Sequence, residues 1–450
     1  MNKTRSITSG PILSSLLSFA LPVLLSLLLQ ALYGGVDLLI VGQFAGTADV
    51  SGVATGSMLM QTVTTTLAGL AMGVSILIGE HIGAGKTESA GHAIGNGILL
   101  FAGIAALLTA VLVPGAGMLV RLLHAPQEAF AETRTYVAIC GAGVTFIIAY
   151  NVLGAVFRGI GDSKTPLLTV AIACAVNIAG DLLLVAVLHM GSAGAALATV
   201  LAQGVRVAAS FAIIRRRTLP FAFGRRHLRL DARVIGKELR LGVPIALQDL
   251  LVGTSFLIIQ SVVNTFGVVA SAGVGVAERV CAFIMLPPSA FSQSVSTFVA
   301  QNMGASRPDR AKRSLACAIA VAFSAGAAMG LITFFRGDLL ASAFSTDAQV
   351  IAAAHDYLRA YAIDCALTPF LFCFIGYYTG CERTLFVMLQ GLIGAFLVRV
   401  PVVLLVSRLP GVTLFTIGLS TPASSLVQIA MCVTLFVLLE RRNAKSSQRR

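Results

Sequence analysis

The stretch GEHIGAGKTESAG, residues 79–91, contains a glycine-rich run that leads into Gly-Lys-Thr. Such a run suggests a P-loop, whose backbone N–H groups surround a phosphate. The P-loop also requires a glycine five positions before Gly85, and the residue there is Glu80, whose carboxylate would repel phosphate. The spacing therefore excludes nucleotide binding through this motif, and the stretch needs another explanation.

A repeat supplies that explanation, because a similar stretch occurs in the second half of the chain. EHIGAGKTESA (80–90) aligns with QNMGASRPDRA (301–311), and the second copy has no Gly-Lys-Thr. Two further pairs have similar offsets: LPV (21–23) with VPI (243–245), and GDSKT (161–165) with GCERT (380–384). Similarity at about half the chain length predicts a duplicated architecture, in which the glycine-containing stretches are turns between helices.

The composition is that of a membrane protein. Of the 450 residues, 57% are hydrophobic and only 11% are charged, with a mean hydropathy of +0.90. Soluble proteins carry about 25% charged residues, whereas apolar runs of roughly 18 residues or more indicate membrane helices. The net charge of +13 does not indicate a nucleic-acid partner, because the basic residues lie at the ends of apolar runs. The eight cysteines form no CxxC pair and are expected to be buried thiols, not disulfides or metal ligands.

Twelve apolar segments are long enough to cross a membrane. They lie at 11–40, 51–78, 93–113, 131–156, 166–188, 193–214, 238–263, 271–298, 313–335, 350–377, 385–406 and 411–439. We therefore predict an all-α integral membrane protein of two six-helix bundles. The chain would comprise an N-terminal lobe (1–214), a cytoplasmic linker (215–237), a C-terminal lobe (238–440) and a basic cytoplasmic tail (441–450). Because six spans return each half to the same orientation, the bundles are expected to be related by a pseudo-two-fold axis along the membrane normal.

The distribution of Lys and Arg predicts the orientation. With the N-terminus in the cytoplasm, cytoplasmic segments hold 24 of the 32 basic residues and outside segments hold 4. Because cytoplasmic loops are enriched in Lys and Arg, both termini are predicted to be cytoplasmic in a multi-pass protein of the inner (plasma) membrane. The Arg215–Arg217 triplet is expected to anchor this topology on anionic lipid.

Acidic residues within the spans are the candidates for function, because a carboxylate there costs about 2.5–3.5 kcal/mol. Gln30, Tyr33 and Asp37 share one helix face, and Asn177 and Asp181 share one face of the fifth span. If the first and fifth spans meet, these five side chains form a polar cluster without an evident basic partner. Since burial disfavours a charged carboxylate, the cluster could hold a proton and couple ions to transport; the alternative is a structural hydrogen-bond network.

The second half contributes further candidates. Asp364 has Thr368 one turn later, Glu278 is explained equally well by structure and by function, and Asp249 could be hydrated near a span end. Three arginines lie in spans and are available as partners: Arg206, Arg279 and Arg399. Of these, Arg399 could neutralise one of the second-half acids.

A proline lies early in the first helix of each half. Pro22 and Pro244 each remove a backbone hydrogen bond, so each is either a static kink or a point of bending. Bending is favoured for Pro22, because it lies on the same helix as Asp37.

Together these residues resemble a known family. The first span looks like the first helix of the MATE multidrug exporters, especially their DinF-like branch. It contains the pattern Gln30-x-Leu-Tyr-x-x-x-Asp37, in which Asp37 lies fifteen residues after Pro22 and is followed by Val41-Gly42. The Gly-Ala turns at 83–84 and 304–305 fit as well, and the resemblance covers essentially the whole chain. It implies a V-shaped pair of six-helix bundles and export of organic cations against inward H⁺ or Na⁺. It also implies that Asp37, Asn177 and Asp181 form the cation site of the first lobe.

The chain departs from the family pattern at several positions. Gly34 stands where the family often has Asn after the tyrosine, which removes one possible ligand. In the NorM-like branch, second-lobe acids matter, but the tenth-helix Asp of that branch would fall on Thr368. Asp249 also lies too close to Pro244 to match its seventh-helix Glu. The resemblance therefore favours the first-lobe site.

The leading interpretation is a cation-coupled multidrug exporter without an organic cofactor, in which H⁺ or Na⁺ is the coupling ion. Its partners would be small organic cations and membrane lipids, and we expect a monomer. The alternative is a lipid or polysaccharide flippase of the same superfamily, although an anionic substrate would call for more inner-face arginines than three. A major-facilitator transporter would carry Asp-Arg-x-Gly-Arg after its second span, and 79–92 lacks it. An enzyme is not expected, because DDxxD, HExxH and GxSxG patterns are all absent.

Overall fold

A computed structural model describes residues 7–216 and 223–448, and its regular elements over these ranges are all helical. Eleven helices in this part of the chain are long and apolar enough to cross a membrane, and a bent pair makes a twelfth crossing. In chain order they are α1 (Ile12–Phe44), α2 (Thr47–Gly83), α3 (Thr87–Leu122), α4 (Gln127–Ala142 with Val144–Gly159), α5 (Lys164–Val187), α6 (Gly191–Arg216), α7 (Ala232–Asn264), α8 (Val268–Gly304), α9 (Pro308–Ser342), α10 (Ala348–Gly380), α11 (Thr384–Val406) and α12 (Leu414–Arg442). The all-α fold class predicted from the apolar segments is confirmed, since helices satisfy every backbone polar group within lipid.

Some of the predicted features lie outside the described residues. Part of the linker falls on 217–222, which includes Arg217 of the basic triplet. Four other basic residues used to predict the orientation also lie outside the described residues: Lys3, Arg5, Arg449 and Arg450. The helix of α12 continues past its apolar part to Gln448. The described residues of the predicted basic tail are therefore helical.

Helix α4 is broken, although its sequence predicted one continuous span over 131–156. Its two parts meet at Gly143 with a bend of 52°. The side chain of Val200 on α6 lies so close to Gly143 that a Cβ atom there would come within 2.5 Å of it. The absence of a side chain at Gly143 thus allows α4 and α6 to approach each other at the break.

A π-helical segment interrupts one helix of each sequence half. Leu182–Val187 follows Asp181 directly in α5, and Ile393–Arg399 ends at the arginine of α11. Such segments are uncommon and often lie at functional sites. They were not predictable from the apolar pattern, yet each places a charged residue at its boundary.

The repeated sequence forms the same turn twice. The backbone N–H of Lys86 donates to the carbonyl of His81 at 2.9 Å, and that of Arg307 donates to Asn302 at 2.8 Å. The residues before these donors have left-handed backbones, with φ of +70° at Gly85 and +56° at Ser306. The turn predicted from the internal repeat is therefore present in both copies, even where serine replaces the favoured glycine.

The helices pack into two compact units. The first comprises Met1–Gly10, Leu17–Ala246 and Ala300–Arg307, and the second comprises Pro11–Leu16, Leu247–Val299 and Pro308–Arg450. The packing boundary therefore lies within α7, whereas the lobe boundary proposed from the sequence is at residue 238.

The described part of the linker packs back onto α3 in the first unit. His227 is 1% exposed, and its ring and carbonyl lie against Gly91 and Gly95, where side chains would collide with them. Glu88 accepts from Arg226 at 3.1 Å and lies 3.3 Å from the His227 ring nitrogen. This segment is therefore attached to the helix bundle through specific contacts.

Candidate functional site

The two acids of the first unit are in direct contact. Asp37 on α1 is 6% exposed and Asp181 on α5 is fully buried, and the two carboxyl groups interact directly with each other. Two carboxylates have only acceptor atoms, so they can form a hydrogen bond only when one of them carries a proton. Two negative charges side by side in an apolar bundle would also repel each other strongly. The arrangement is therefore suited to binding one positive charge, either a proton or a cation.

Few other polar groups compensate these acids. No described residue donates a hydrogen bond from an N–H or a non-carboxyl O–H group to either oxygen of Asp181, or to Oδ1 of Asp37. Asn177, one turn before Asp181, is 1% exposed, and its amide oxygen and nitrogen have no hydrogen-bond partner among the described residues. Because buried polar groups are normally hydrogen-bonded, three such side chains on α1 and α5 indicate a site for an ion or a polar ligand.

Tyr33 and Gln30 precede Asp37 on the same face of α1, but their side chains make different contacts. The Tyr33 hydroxyl accepts a long hydrogen bond of 3.4 Å from Nε2 of Gln203 on α6, and Tyr33 interacts electrostatically with Asp37. The Gln30 amide instead donates to the backbone carbonyl of Ser26 at 2.9 Å, within its own helix. The structure thus places Tyr33 beside the acids, and directs the donor of Gln30 away from them.

The sequence argument missed a second layer around Asp37. Tyr136 on α4 interacts electrostatically with Asp37 and Tyr33, and its hydroxyl lies near Thr199 on α6. Cys140, one turn later, lies near the Tyr136 side chain. Tyr136 and Cys140 share one helix face four residues apart, but nothing local indicates that this face meets α1.

The second unit arranges its charges differently. Arg399 on α11 is 6% exposed and interacts electrostatically with Asp364 on α10 and Glu278 on α8. Its Nη1 donates to Ser255 at 3.2 Å, and its guanidinium lies 4.4 Å from the centre of the Phe256 ring. The acids of this unit therefore have a buried cation beside them, as the sequence suggested for one of them.

Two other candidates of the second half are placed differently. The Thr368 hydroxyl donates to the backbone carbonyl of Asp364 at 3.0 Å, so it does not face the carboxyl group. Asp249 lies in the middle of the helix α7 and its side chain is exposed. The hydration suggested for Asp249 therefore stays a prediction.

The two prolines lie inside helices, as expected. Pro22 is buried in α1, and its carbonyl accepts from the Ser26 hydroxyl at 2.8 Å. Pro244 lies in α7, twelve residues after the helix begins at Ala232, and is half-buried. Both helices continue through the proline.

A further buried acid escaped the sequence argument because it is the first residue of the predicted span 238–263. Glu238 is 1% exposed, and neither carboxyl oxygen has a hydrogen-bond partner among the described residues. It packs against α2 and α3 near Gly73 and Gly97. Its only signal in the sequence was an acid at the edge of that span, six residues before Pro244.

Comparison with known proteins places this geometry in a family. The MatE family model matches the chain twice, over residues 22–183 and 244–405, so each match begins at one of the two helix prolines. The probable multidrug resistance protein YoeA of Bacillus subtilis (strain 168) is 30% identical over 350 residues, covering 76% of this chain and 75% of that protein. The probable multidrug resistance protein YpnP of the same organism is 27% identical over 400 residues, covering 89% of each.

Solved structures agree on the fold. An outward-facing multidrug resistance MATE family transporter of the MOP superfamily has a TM-score of 0.90 at 19% identity, covering 100% of this chain and 99% of that one. A MOP superfamily transporter from Pyrococcus furiosus has a TM-score of 0.89 at 20% identity, covering 98% of each chain. The double match of the family model also accounts for the internal repeat, and together these findings show that the chain belongs to the MatE family of membrane transporters.

Proposed function

We propose that this protein is a secondary active multidrug exporter that antiports amphipathic organic cations against H⁺ or Na⁺ by alternating access. The observation that carries the proposal is the buried Asp37–Asp181 pair, which has no arginine or lysine as an ion-pair partner among the described residues. The multidrug resistance names of the relatives support the substrate class. The proximity of the two carboxyl groups favours H⁺ as the coupling ion, because one proton shared between them would remove their repulsion.

The coupling would follow from competition for one negative site. A proton or Na⁺ on the acid pair neutralises it and removes the attraction for an organic cation, and a bound organic cation likewise disfavours the ion. Such coupling is reciprocal, so each ligand weakens the other by the same factor. Asn177 and Tyr33 would supply the adjacent polar contacts for whichever ligand is bound.

We place the protein as a monomer in the inner (plasma) membrane with both termini in the cytoplasm. The support is the excess of Lys and Arg in the segments on that side. Anionic lipid headgroups would then contact the exposed basic residues at the ends of α6 and α12. The flippase alternative is less favoured, because the first-unit site is acidic.

The decisive experiment measures efflux of ethidium from proteoliposomes under an imposed pH gradient or an imposed Na⁺ gradient. The wild type is compared with Asp37→Asn, and Glu128→Gln serves as a control that removes an exposed carboxyl group at the start of α4. Efflux that is driven by the pH gradient, lost in Asp37→Asn and retained in Glu128→Gln would support H⁺ antiport through the first-unit site.

Other outcomes would redirect the proposal. Efflux driven only by Na⁺ would replace H⁺ as the coupling ion while keeping the site. Efflux that survives Asp37→Asn would move the coupling site to Glu278 or Asp364. Absence of efflux under both gradients, with correctly folded protein, would contradict the exporter and favour the flippase.

A further inference from the structure

The first unit contains a buried acid that takes no part in the Asp37–Asp181 contact. Glu238 on α7 is 1% exposed, and neither of its carboxyl oxygens has a hydrogen-bond partner among the described residues. Its Oε1 lies 3.7 Å from the position that a Cβ atom on Gly97 of α3 would occupy, and the Val74 methyl groups of α2 lie against the same position. An ionised carboxylate in these apolar surroundings would be costly, so the packed side chain suits the neutral, protonated form.

Glu238 has no counter-charge, although each helix around it carries charged residues. The titratable and charged side chains nearest to this contact along the chain are Glu80 and His81 on α2, Glu88 and His92 on α3, Asp231 in the linker, and Arg233, Lys237 and Arg240 on α7. Glu80 accepts from Lys237 at 2.7 Å, and Glu88 accepts from Arg226 at 3.1 Å. Within the described residues none of these groups forms an ion pair with Glu238 at 4.0 Å or less. In this packing a proton is what can neutralise the carboxyl group.

A structural role does not account for this carboxyl group. Glycines already bring the three helices together: a Cβ atom on Gly73 would collide with the backbone carbonyl of Glu238, and one on Gly97 would come within 2.9 Å of Val74. The carboxyl group adds no hydrogen bond to these contacts, whereas buried polar groups that serve structure are normally hydrogen-bonded. An ionisable residue inside a span without a structural partner therefore indicates a function.

Glu238 also lies at the aqueous edge of the unit. From Ala232, where α7 begins, to Lys237 every side chain is exposed or half-buried, so Glu238 is the first buried residue of the helix. At 1.5 Å per residue it lies about 9 Å from the start of α7. The N–H of Asp231 donates to Oδ1 of Asn96 on α3 at 2.8 Å and closes this end of the contact. A small displacement of the first part of α7 would therefore hydrate the carboxyl group from the side that the charge distribution predicts to be cytoplasmic.

We propose that Glu238 is a second proton-binding site, which makes the packing of α7 against α2 and α3 depend on the cytoplasmic pH. When the packing opens, the O–H bond of Glu238 breaks, the proton passes to water and the carboxylate left behind is hydrated. Because the packed form binds the proton better, low pH stabilises packing and high pH favours opening. A proton suits the site better than a metal ion, which needs several oxygen ligands. The inference rests on the proposed exporter only for the role of this site in transport.

Infrared difference spectroscopy tests whether Glu238 holds an exchangeable proton. The spectrum of Glu238→Gln is subtracted from that of the wild type, both as the purified full chain in phosphatidylcholine nanodiscs at neutral pH. The difference should contain the C=O stretching band of a protonated carboxyl group, and alkaline buffer should remove this band. Carboxylate bands at neutral pH, or a protonated band that persists in alkaline buffer, would overturn the proposal. Glu128→Gln, which removes an exposed carboxyl group, is the control and should change carboxylate bands only.

Cysteine labelling then tests whether this proton controls packing. In a variant without the eight native cysteines, Leu241→Cys places a thiol at a position of α7 that is 3% exposed. Its reaction rate with a water-soluble maleimide is divided by that of Gly236→Cys, an exposed position of the same helix, because every thiol reacts faster at higher pH. The ratio should rise several-fold from acidic to alkaline buffer and stay constant when Glu238→Gln is added. A constant ratio without Glu238→Gln, or an equal rise with it, would overturn the proposal.

Thermal unfolding separates proton binding from a structural role. Glu238→Met replaces the acid with an apolar side chain of similar length, and it should unfold at the wild-type temperature or above, because an unpartnered polar group is removed. A clear fall in the unfolding temperature of both Glu238→Met and Glu238→Gln would show that the carboxyl group is structural, and would overturn the proposal. Glu238→Asp keeps a protonatable group and should retain the pH-dependent labelling that Glu238→Gln and Glu238→Met lose.

The outcomes also separate this inference from the proposed function. Infrared spectra and labelling rates are measured without any substrate, so a proton on Glu238 that controls packing would support the site even if the wild type exports no ethidium. Conversely, gradient-driven efflux by the wild type would support the exporter, while unchanged spectra and labelling in Glu238→Gln would overturn the proton site.

Discussion

Single charged residues are compensated in two different ways within this chain. In the first unit Asp37 and Asp181 interact with each other without a basic partner among the described residues, whereas in the second unit Arg399 lies near Asp364 and Glu278. We propose the first arrangement as the coupling site, since the second already contains a cation. The sequence showed each of these residues inside a span, but not which of them has a counter-charge.

Asp364→Asn should lower the thermal stability of the protein, because it removes one of the two acids that compensate buried Arg399. The loss should be smaller than the roughly 3–5 kcal/mol of a broken buried ion pair, because Arg399 forms no ion pair within 4.0 Å among the described residues. Because the chain has no tryptophan, thermal unfolding of the purified protein is followed by light scattering or calorimetry.

The double variant Asp364→Asn/Arg399→Met should regain part of this loss, since it also removes the uncompensated cation. Asp249→Asn, at an exposed position, should leave the unfolding temperature unchanged. If Asp364→Asn unfolds at the wild-type temperature, Arg399 does not depend on this acid.

Elements of the first unit approach each other through glycines. Gly73 on α2 and Gly242 on α7 lie against each other's backbones, so that a Cβ atom at Gly242 would collide with the carbonyl of Leu70. This contact holds the first part of α7, including buried Glu238, against α2. An apolar pattern identifies each helix, but the crossing point depends on which small residues meet.

Gly242→Ala should therefore destabilise the protein, by about 1–3 kcal/mol as is typical of overpacking. Gly236→Ala is the matched control in the same helix, because its Cβ would meet no atom within 4 Å. That control should be neutral or stabilising by up to about 1 kcal/mol, the ordinary helix preference of alanine over glycine. Equal unfolding temperatures for the two variants would contradict the close approach of α7 to α2 at Gly242.

Helix α1 is expected to bend at Pro22 during transport. Pro22→Ala should reduce the rate of ethidium efflux several-fold, because alanine restores the helical backbone hydrogen bond that proline removes. Substrate affinity should change less than the rate, since Pro22 lies fifteen residues before Asp37. Unaltered efflux in Pro22→Ala would show that the proline is a static feature of the helix.

The whole molecule is a duplicated chain whose two copies have diverged. The family model matches both halves, and the turn at 83–86 recurs at 304–307 with the same hydrogen bonds. Because each half contains six crossings, corresponding turns are expected on the same side of the membrane. The positive charge of the segments predicts that this side is the cytoplasm.

Cysteine labelling in intact cells tests this orientation in a variant that lacks the eight native cysteines. Cysteines at Gln127, exposed at the start of α4, and at Thr346, exposed before α10, should react with a membrane-impermeant maleimide. Cysteines at Lys86 and Asp309, exposed in the repeated turns, should react only after the membrane is permeabilised. The reverse pattern would place the termini outside.

The sequence by itself determined the helices, the number of crossings, the duplication and the presence of acids within the spans. These properties are local, because a crossing needs only a sufficient length of apolar residues and a repeat needs only similar residues at a constant offset. The tertiary structure alone decided that Asp37 meets Asp181, that Arg399 compensates Asp364, that α4 breaks at Gly143 and that Glu238 and Arg206 are buried without an opposite charge. These features depend on which helix faces are in contact, and in an apolar bundle nearly every face is hydrophobic enough to pack against another.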